Sequence, residues 1–183
     1  MLGKALSFDG VDDYVNAGSG ASLKMGTGAI TVEQWINPPT WTGYKSLFYG
    51  SAGGGNQGYG TGLDTGGTGF FYEVYGATGG RQRFTMDIGI QKNQWNHIVA
   101  VFDGVNNKMI AYLNGVQKDT RNISDPGDVP TNNGFIIGSH GGSNWFFNGL
   151  IDDFRIYNQA LSAFEIQKHY AEGLGKHDNL AVK

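Results

Sequence analysis

Short runs in which apolar and polar residues alternate, each closed within a few residues by glycine or asparagine, recur along this chain from Ala5 to Tyr157. Alternation at a period of two is the pattern of a strand with one buried face. The runs fall at 5–8, 13–15, 29–36, 46–49, 70–75, 83–88, 97–102, 108–113, 116–118, 134–138 and 149–157. Glycine supplies 31 of the 183 residues, so the runs are interrupted too often for crossover helices of a parallel sheet to fit between them. Asn114-Gly115 sits between two such runs, and both residue types accept the positive φ of a two-residue hairpin. The expected fold class is all-β: a two-sheet antiparallel β-sandwich with one short C-terminal helix.

Composition removes several function classes. Charged residues make up 16 % and aromatics 13 %, the reverse of a disordered chain. The 13 Lys and Arg are scattered and the net charge is −3, so no basic footprint for nucleic acid exists. No stretch of 18 apolar residues is present, which argues against insertion of a helix into a membrane. There is no cysteine, which excludes disulfides and thiolate metal sites, so stability must come from the core or a hard metal. Residues 1–4 carry no apolar core of a signal peptide, so an excised domain or another route to the exterior is expected.

Near the C-terminus, Ser162 and Glu165 have the spacing of a capping box, and Leu161 with Ile166 that of a hydrophobic staple. Gly173 is the expected stop. The domain is accordingly placed at 1–172, and 173–183 is taken as a tail or linker. Ten of the twenty residues from Gly50 to Gly69 are glycine. They match neither phosphate-binding glycine motif and read as a loop between strands, able to form part of a binding rim.

The chemistry available is narrow. The four glutamates, at 33, 73, 165 and 172, include no pair at i, i+2 or i, i+4 on one strand, as a retaining glycosidase on a sandwich requires. No nucleophile elbow and no His-Glu-x-x-His occur. The chain is expected not to be an enzyme. His97 and His169 read as structural, whereas His140 lies in a glycine-rich loop open to ligand. In 150–157, strand parity groups Asp152 with Leu150, Phe154 and Ile156 on what should be the core face. A carboxylate there needs a partner, and no Lys or Arg shares its face. Calcium held by Asp152 and backbone carbonyls is one answer; backbone N–H donors or a wet strand end is the other. Asp9, Asp12 and Asp13 form a second acidic cluster, in which Asp9 before Gly10 serves equally as turn chemistry.

Five segments taken in order carry a family resemblance: Ala5-Leu6-Ser7-Phe8-Asp9-Gly10-Val11-Asp12-Asp13-Tyr14-Val15, Thr31-Val32-Glu33-Gln34-Trp35-Ile36, Trp95-Asn96-His97-Ile98-Val99-Ala100-Val101-Phe102-Asp103-Gly104, Tyr112-Leu113-Asn114-Gly115, and the stretch from Phe147 through Ser162 into Glu165-Ile166. Together they resemble the laminin G-like, concanavalin A-like jelly-roll domains of secreted bacterial and phage proteins. The resemblance implies two curved antiparallel sheets face to face. It also implies a structural calcium near the meeting of first and last strands, which maps onto Asp9, Asp152 and a carbonyl such as that of Gly50. Glucanases of this architecture carry Glu-x-Asp-x-x-Glu, and this chain does not.

Relatives of this kind bind glycans, surface proteins or neighbouring subunits. Sugar binding calls for aromatic platforms flanked by hydrogen-bonding groups. Trp41 and Tyr44, Trp145 beside Asn144 and His140, and Tyr59 in the glycine-rich segment are the candidates; for Trp41 and Trp145, packing beneath their own loops is the alternative. Trp35 and Trp95 match the family framework and are assigned to the core. The expected function is a calcium-stabilised recognition module for carbohydrate or a glycosylated surface, located outside the cell or on a cell or virion surface. The other reading is an assembly protein whose jelly roll contacts copies of itself.

Overall fold

The computed structural model describes residues 5–51, 58–67, 69–130 and 134–177. Twelve strands form two six-stranded antiparallel sheets. The strands are β1 (Leu6–Asp9), β2 (Val15–Asn16), β3 (Ala29–Asn37), β4 (Lys45–Ser51), β5 (Gly58–Leu63), β6 (Gly69–Gly76), β7 (Gly80–Asp87), β8 (Asn96–Asp103), β9 (Lys108–Leu113), β10 (Val116–Asn122), β11 (Gly134–Ile137) and β12 (Asn148–Tyr157). The first sheet runs β1-β12-β3-β8-β9-β10 and the second β2-β11-β4-β5-β6-β7. A single helix, α1 (Ala163–His177), follows β12.

Parity decides which residues meet between the sheets. Ile30, Val32 and Ile36 of β3 and Ile98, Ala100 and Phe102 of β8 point inward, against Phe48, Tyr59, Tyr72, Val74 and Phe135 of the second sheet. Offset rings dominate this interior: Phe48 stacks on Phe135 with centroids 5.9 Å apart and meets Tyr59 at 5.5 Å. At Asn114-Gly115 both φ angles are positive, 52° and 74°, as the hairpin joining β9 to β10 requires.

The outward face of the first sheet is covered by α1. Val99, Val101 and Tyr112 pack there against Leu161 and Ile166, which flank the helix start. The capping box forms: the Ser162 amide donates to Glu165 Oε2 at 2.8 Å, and the Glu165 amide to Ser162 Oγ at 3.3 Å. Gly173 does not stop the helix. It lies so close to Trp35 that an added Cβ would sit 2.7 Å from the indole, so its lack of a side chain lets the helix dock. The helix continues to His177, which is fully buried and stacks on Trp35 with centroids 4.1 Å apart and planes 7° apart. Residues 173–177 therefore continue the packed helix, and the remainder of the expected tail, 178–183, lies outside the described residues. Trp35 is buried as expected, but beneath the helix instead of between the sheets, and Trp95 is half-buried beside His177.

The glycine-rich segment also differs from the expected loop. Its described part contains β5, in which Tyr59 and Leu63 enter the core and Thr61 meets Gln34 across the sandwich. Gly58, Gly60 and Gly62 consequently face outward. Residues 52–57 and 68 of that segment lie outside the described residues.

Candidate functional site

The two carboxylates assigned to a shared ion are apart. Asp9 pairs with Asn148 in the β1–β12 ladder, four residues from Asp152, and Gly50 belongs to the other sheet, between β11 and β5. Asp152 does not face the core either. A bulge between Asp152 and Arg155, with Asp153 at φ +46°, inserts a residue and reverses parity along β12. Ile151 enters the core, Phe154 and Ile156 pack against it, and Asp152 turns toward α1. Its countercharge comes from the helix: Lys176 Nζ lies 2.9 Å from Asp152 and 3.0 Å from Asp153, and His177 Nε2 is 3.3 Å from Asp152. Burial raises the Asp152 pKa, but the bonds from Lys176 and the Asp153 amide outweigh it and leave the carboxyl below its usual range. An ammonium thus sits where the cation was expected, and these residues do not fit the shared calcium. Asp9, Asp12 and Asp13 do lie close together, but on the exposed first turn, where Asp9 accepts from the Val11 amide at 2.8 Å and Asp13 from the Asp9 amide at 3.0 Å.

Beneath α1 lies a second polar cluster. Glu33, wholly buried on the outward face of β3, receives His169 Nδ1 at 2.8 Å and Arg155 Nη1 at 3.1 Å, with His97 Nε2 at 3.3 Å. Burial raises its pKa, yet the hydrogen bonds and charge of His97 and His169 prevail and hold it below the ordinary glutamate value. Glu33 and His97 are wholly buried beneath the helix, while Arg155 reaches Glu33 from a half-exposed position, and the cluster fastens the layers together.

The open face of the second sheet is different. The row Tyr49–Gly60–Glu73–Arg83 runs across β4, β5, β6 and β7, and the row Gly58–Tyr75–Arg81 lies beside it. Because β5 contributes only hydrogens outward, the sheet has a trough; a Cβ on Gly60 would come within 2.8 Å of the Tyr49 ring. The loop following β11 folds over one side. It is pinned by the Gly138 amide to Leu47 O at 3.0 Å and by the Ser46 amide to Trp145 O at 2.8 Å. His140 and Asn144 bridge its two arms, and Trp145 adopts φ +53°, a left-handed conformation rare for a large side chain. The result is a depression of about 190 Å³ lined by Tyr49, Gly58, Glu73, Tyr75, Arg81, His140 and Trp145. The volume suits one small ring better than a drug-sized ligand, for which roughly 300–1,000 Å³ is usual.

His140 is held between rings, 4.1 Å from Tyr49 and 4.5 Å from Trp145. Burial pushes its pKa below the usual 6.5, so the imidazole is neutral at pH 7. Glu73 Oε2 accepts from Arg81 Nη2 at 2.6 Å and Nε at 3.0 Å, while Arg83 Nη1 stands 4.0 Å away. The Arg83 guanidinium lies over Phe71 at 3.7 Å and Tyr44 at 4.4 Å. Tyr44 in turn meets Trp145 at 5.1 Å, which places it just outside the lining.

Of the residues singled out for ligand contact, Trp145 and His140 line the depression, and Tyr44 and the exposed Asn144 border it. Tyr59 does not: it is fully buried between the sheets, its hydroxyl donating to Leu23 O at 2.7 Å. Trp41 is also buried, with Nε1 donating to Asp64 O at 3.0 Å, so its indole supports a loop rather than presenting a face. Tyr49, Glu73, Tyr75 and Arg81 were not foreseen. Their signal was present in the parity of Phe70–Tyr75, which puts Glu73 and Tyr75 on one face, and in the alternating glycines of β5.

The sequence profile of the concanavalin A-like lectin/glucanases superfamily, laminin G type, matches residues 9–167. No curated protein sequence matches the chain significantly. Among solved structures, the botulinum neurotoxin serotype G binding domain is similar with a TM-score of 0.74 at 14 % identity, over 91 % of this chain and 42 % of that one. The receptor binding domain of botulinum neurotoxin D gives 0.71 at 18 %, over 93 % and 43 %. The heptameric SAP-like pentraxin of Limulus polyphemus gives 0.69 at 19 %, over 88 % and 78 %. The chain thus spans about two fifths of the neurotoxin chains, and at these identities the likeness is one of fold. With its profile match over most of its length and two six-stranded antiparallel sheets, the chain belongs to the laminin G-like branch of the concanavalin A-like lectin/glucanases superfamily.

Proposed function

We propose that the domain is a non-catalytic recognition module that binds carbohydrate, on a free glycan or a glycosylated surface, in the depression of the second sheet. The observation that carries this reading is the grouping of Tyr49, Tyr75, His140 and Trp145 around the Glu73–Arg81 pair. Aromatic faces suit the C–H faces of a pyranose, and an adjacent acceptor and donor suit its hydroxyls. Recognition without turnover is supported by Glu73, the carboxylate of this lining, whose Oε2 is committed to Arg81. General acid–base cleavage of a glycoside requires two carboxyl groups facing one bond, and the described lining supplies one. Binding domains of toxins share the fold, which supports a place outside the cell or on a cell or virion surface. Among the described residues, no helix is long and apolar enough to cross a membrane.

The test is a glycan array probed with calcium and again with chelator, using the wild type and Trp145→Ala. A selective hit that Trp145→Ala weakens at least tenfold, about 1.4 kcal/mol, supports the reading. Because Lys176 already neutralises Asp152, the hit should survive chelator. A blank array together with concentration-dependent sedimentation would replace it with self-assembly.

A further inference from the structure

We propose that the saccharide taken by this depression is acidic, and that its carboxylate meets the outward edge of Arg81. The inference rests on the carbohydrate reading above and adds to it the charge of the ligand. It starts from the way one carboxylate is shared. Arg81 uses Nε and Nη2 on Glu73 Oε2, and among the described residues its Nη1 makes no hydrogen bond. The guanidinium is planar and carries five N–H groups, so its free end still presents two parallel donors, the fork that fits a carboxylate. The two partners also differ in access. The Arg81 side chain is 50 % exposed and that of Glu73 is 6 % exposed, so the charge a ligand meets at the mouth is positive.

A second guanidinium stands behind the first. Arg83 is 4.0 Å from the same Glu73 oxygen, held by stacking on Phe71 and Tyr44, and its Nη2 is buried without a hydrogen-bond partner. Asp64 also acts on Arg83, but its carboxylate is turned into its own loop, accepting from the Gly66 amide at 2.6 Å. His140 is neutral and adds no charge. Two cations therefore share Glu73, and Arg81, the exposed one, carries its positive charge to the mouth of the trough in a chain whose net charge is −3. A neutral sugar leaves that charge unanswered. An acidic one completes it with a charge-assisted bond, about twice as strong as a neutral one.

The experiment titrates the wild-type protein with carboxylated oligosaccharides (oligogalacturonate, alginate oligosaccharides and sialyllactose) and with the same sugars after carboxyl reduction. The expected result is at least tenfold tighter binding of an acid form, with a margin that narrows as salt is raised. Arg81→Gln should remove the margin, and Arg81→Lys, which keeps the charge and loses the fork, should restore only part of it. The wild-type comparison stands even if Arg81→Gln destabilises Glu73. Equal binding of acid and reduced forms, or binding of sulfated sugars alone, overturns this inference and leaves carbohydrate recognition intact. If neither those sugars nor any glycan on the array binds, the carbohydrate reading falls and this inference falls with it.

Discussion

The two outward faces of the sandwich put their charged groups to opposite uses. On the first sheet, Glu33 is enclosed by His97, His169 and Arg155 under a helix that also seats His177 on Trp35. On the second, Glu73 is similarly paired with arginines, but among the described residues no helix covers it, and the outward glycines of β5 keep a trough open beside it. Glu33 itself is wholly buried, and removing a partner from a buried charge is strongly destabilising, so the cluster acts as a fastening between layers. The uncovered pair retains a donor edge toward solvent. The same ion-pair chemistry serves cohesion on one face and the proposed recognition on the other, and the cover decides which.

The sharpest way to break this contrast is at Trp35. Trp35→Ala removes the ring on which His177 stacks and should lower unfolding free energy by about 3–5 kcal/mol, read by chemical denaturation. Whatever folded protein remains should bind ligand as the wild type does. Loss of binding in a folded Trp35→Ala protein would show that the faces are coupled.

Acid separates the faces more gently. Glu33 and Asp152 both have pKa values lowered by folding, so the folded state binds fewer protons than the unfolded one. Their stabilisation is complete above the ordinary carboxyl values and is lost as pH falls through the folded ones. His140 is also lowered, which makes the folded state resist protonation there, so stability begins to fall below pH 6.5. Thermal melts across pH 3–7 should therefore decline toward acid. Glu33→Gln should flatten the lower part of that decline, and His140→Gln only the upper part. An unchanged slope in Glu33→Gln would remove the cluster from the account.

The smallest expected effect lies at the entrance of α1. Ser162→Ala deletes the cap on Glu165's amide and should cost about 1 kcal/mol by denaturant midpoint, with binding unaffected. A loss of binding would again link the helix to the far face.

Local chemistry carried much of the fold into view. The strand runs, the Asn114-Gly115 turn and the Ser162–Glu165 box depend on residues within a few positions of each other, and each forms as the spacing implies. Half of the candidate site was legible in the same way, because His140, Asn144 and Trp145 sit together in one loop. The other half comes from β4, β6 and β7, and only register brings Tyr49, Glu73, Tyr75 and Arg81 together.

Two misplacements have a single kind of cause. Asp152 was assigned to the core by unbroken alternation, and one bulge at Asp153 reversed the parity of everything around it. Glycine's intrinsic preference marks Gly173 as a helix stop, whereas the docking surface at Trp35 requires a residue without a side chain there. Periodicity, punctuation and capping are short-range properties, and they determined an antiparallel sandwich with a terminal helix. Whether a carboxylate finds a metal, an ammonium or an arginine depends on which distant strand or helix turn lies opposite it. Only the tertiary structure decided that, because pairing register and layer packing, unlike propensity, are set by contacts between residues far apart in the chain.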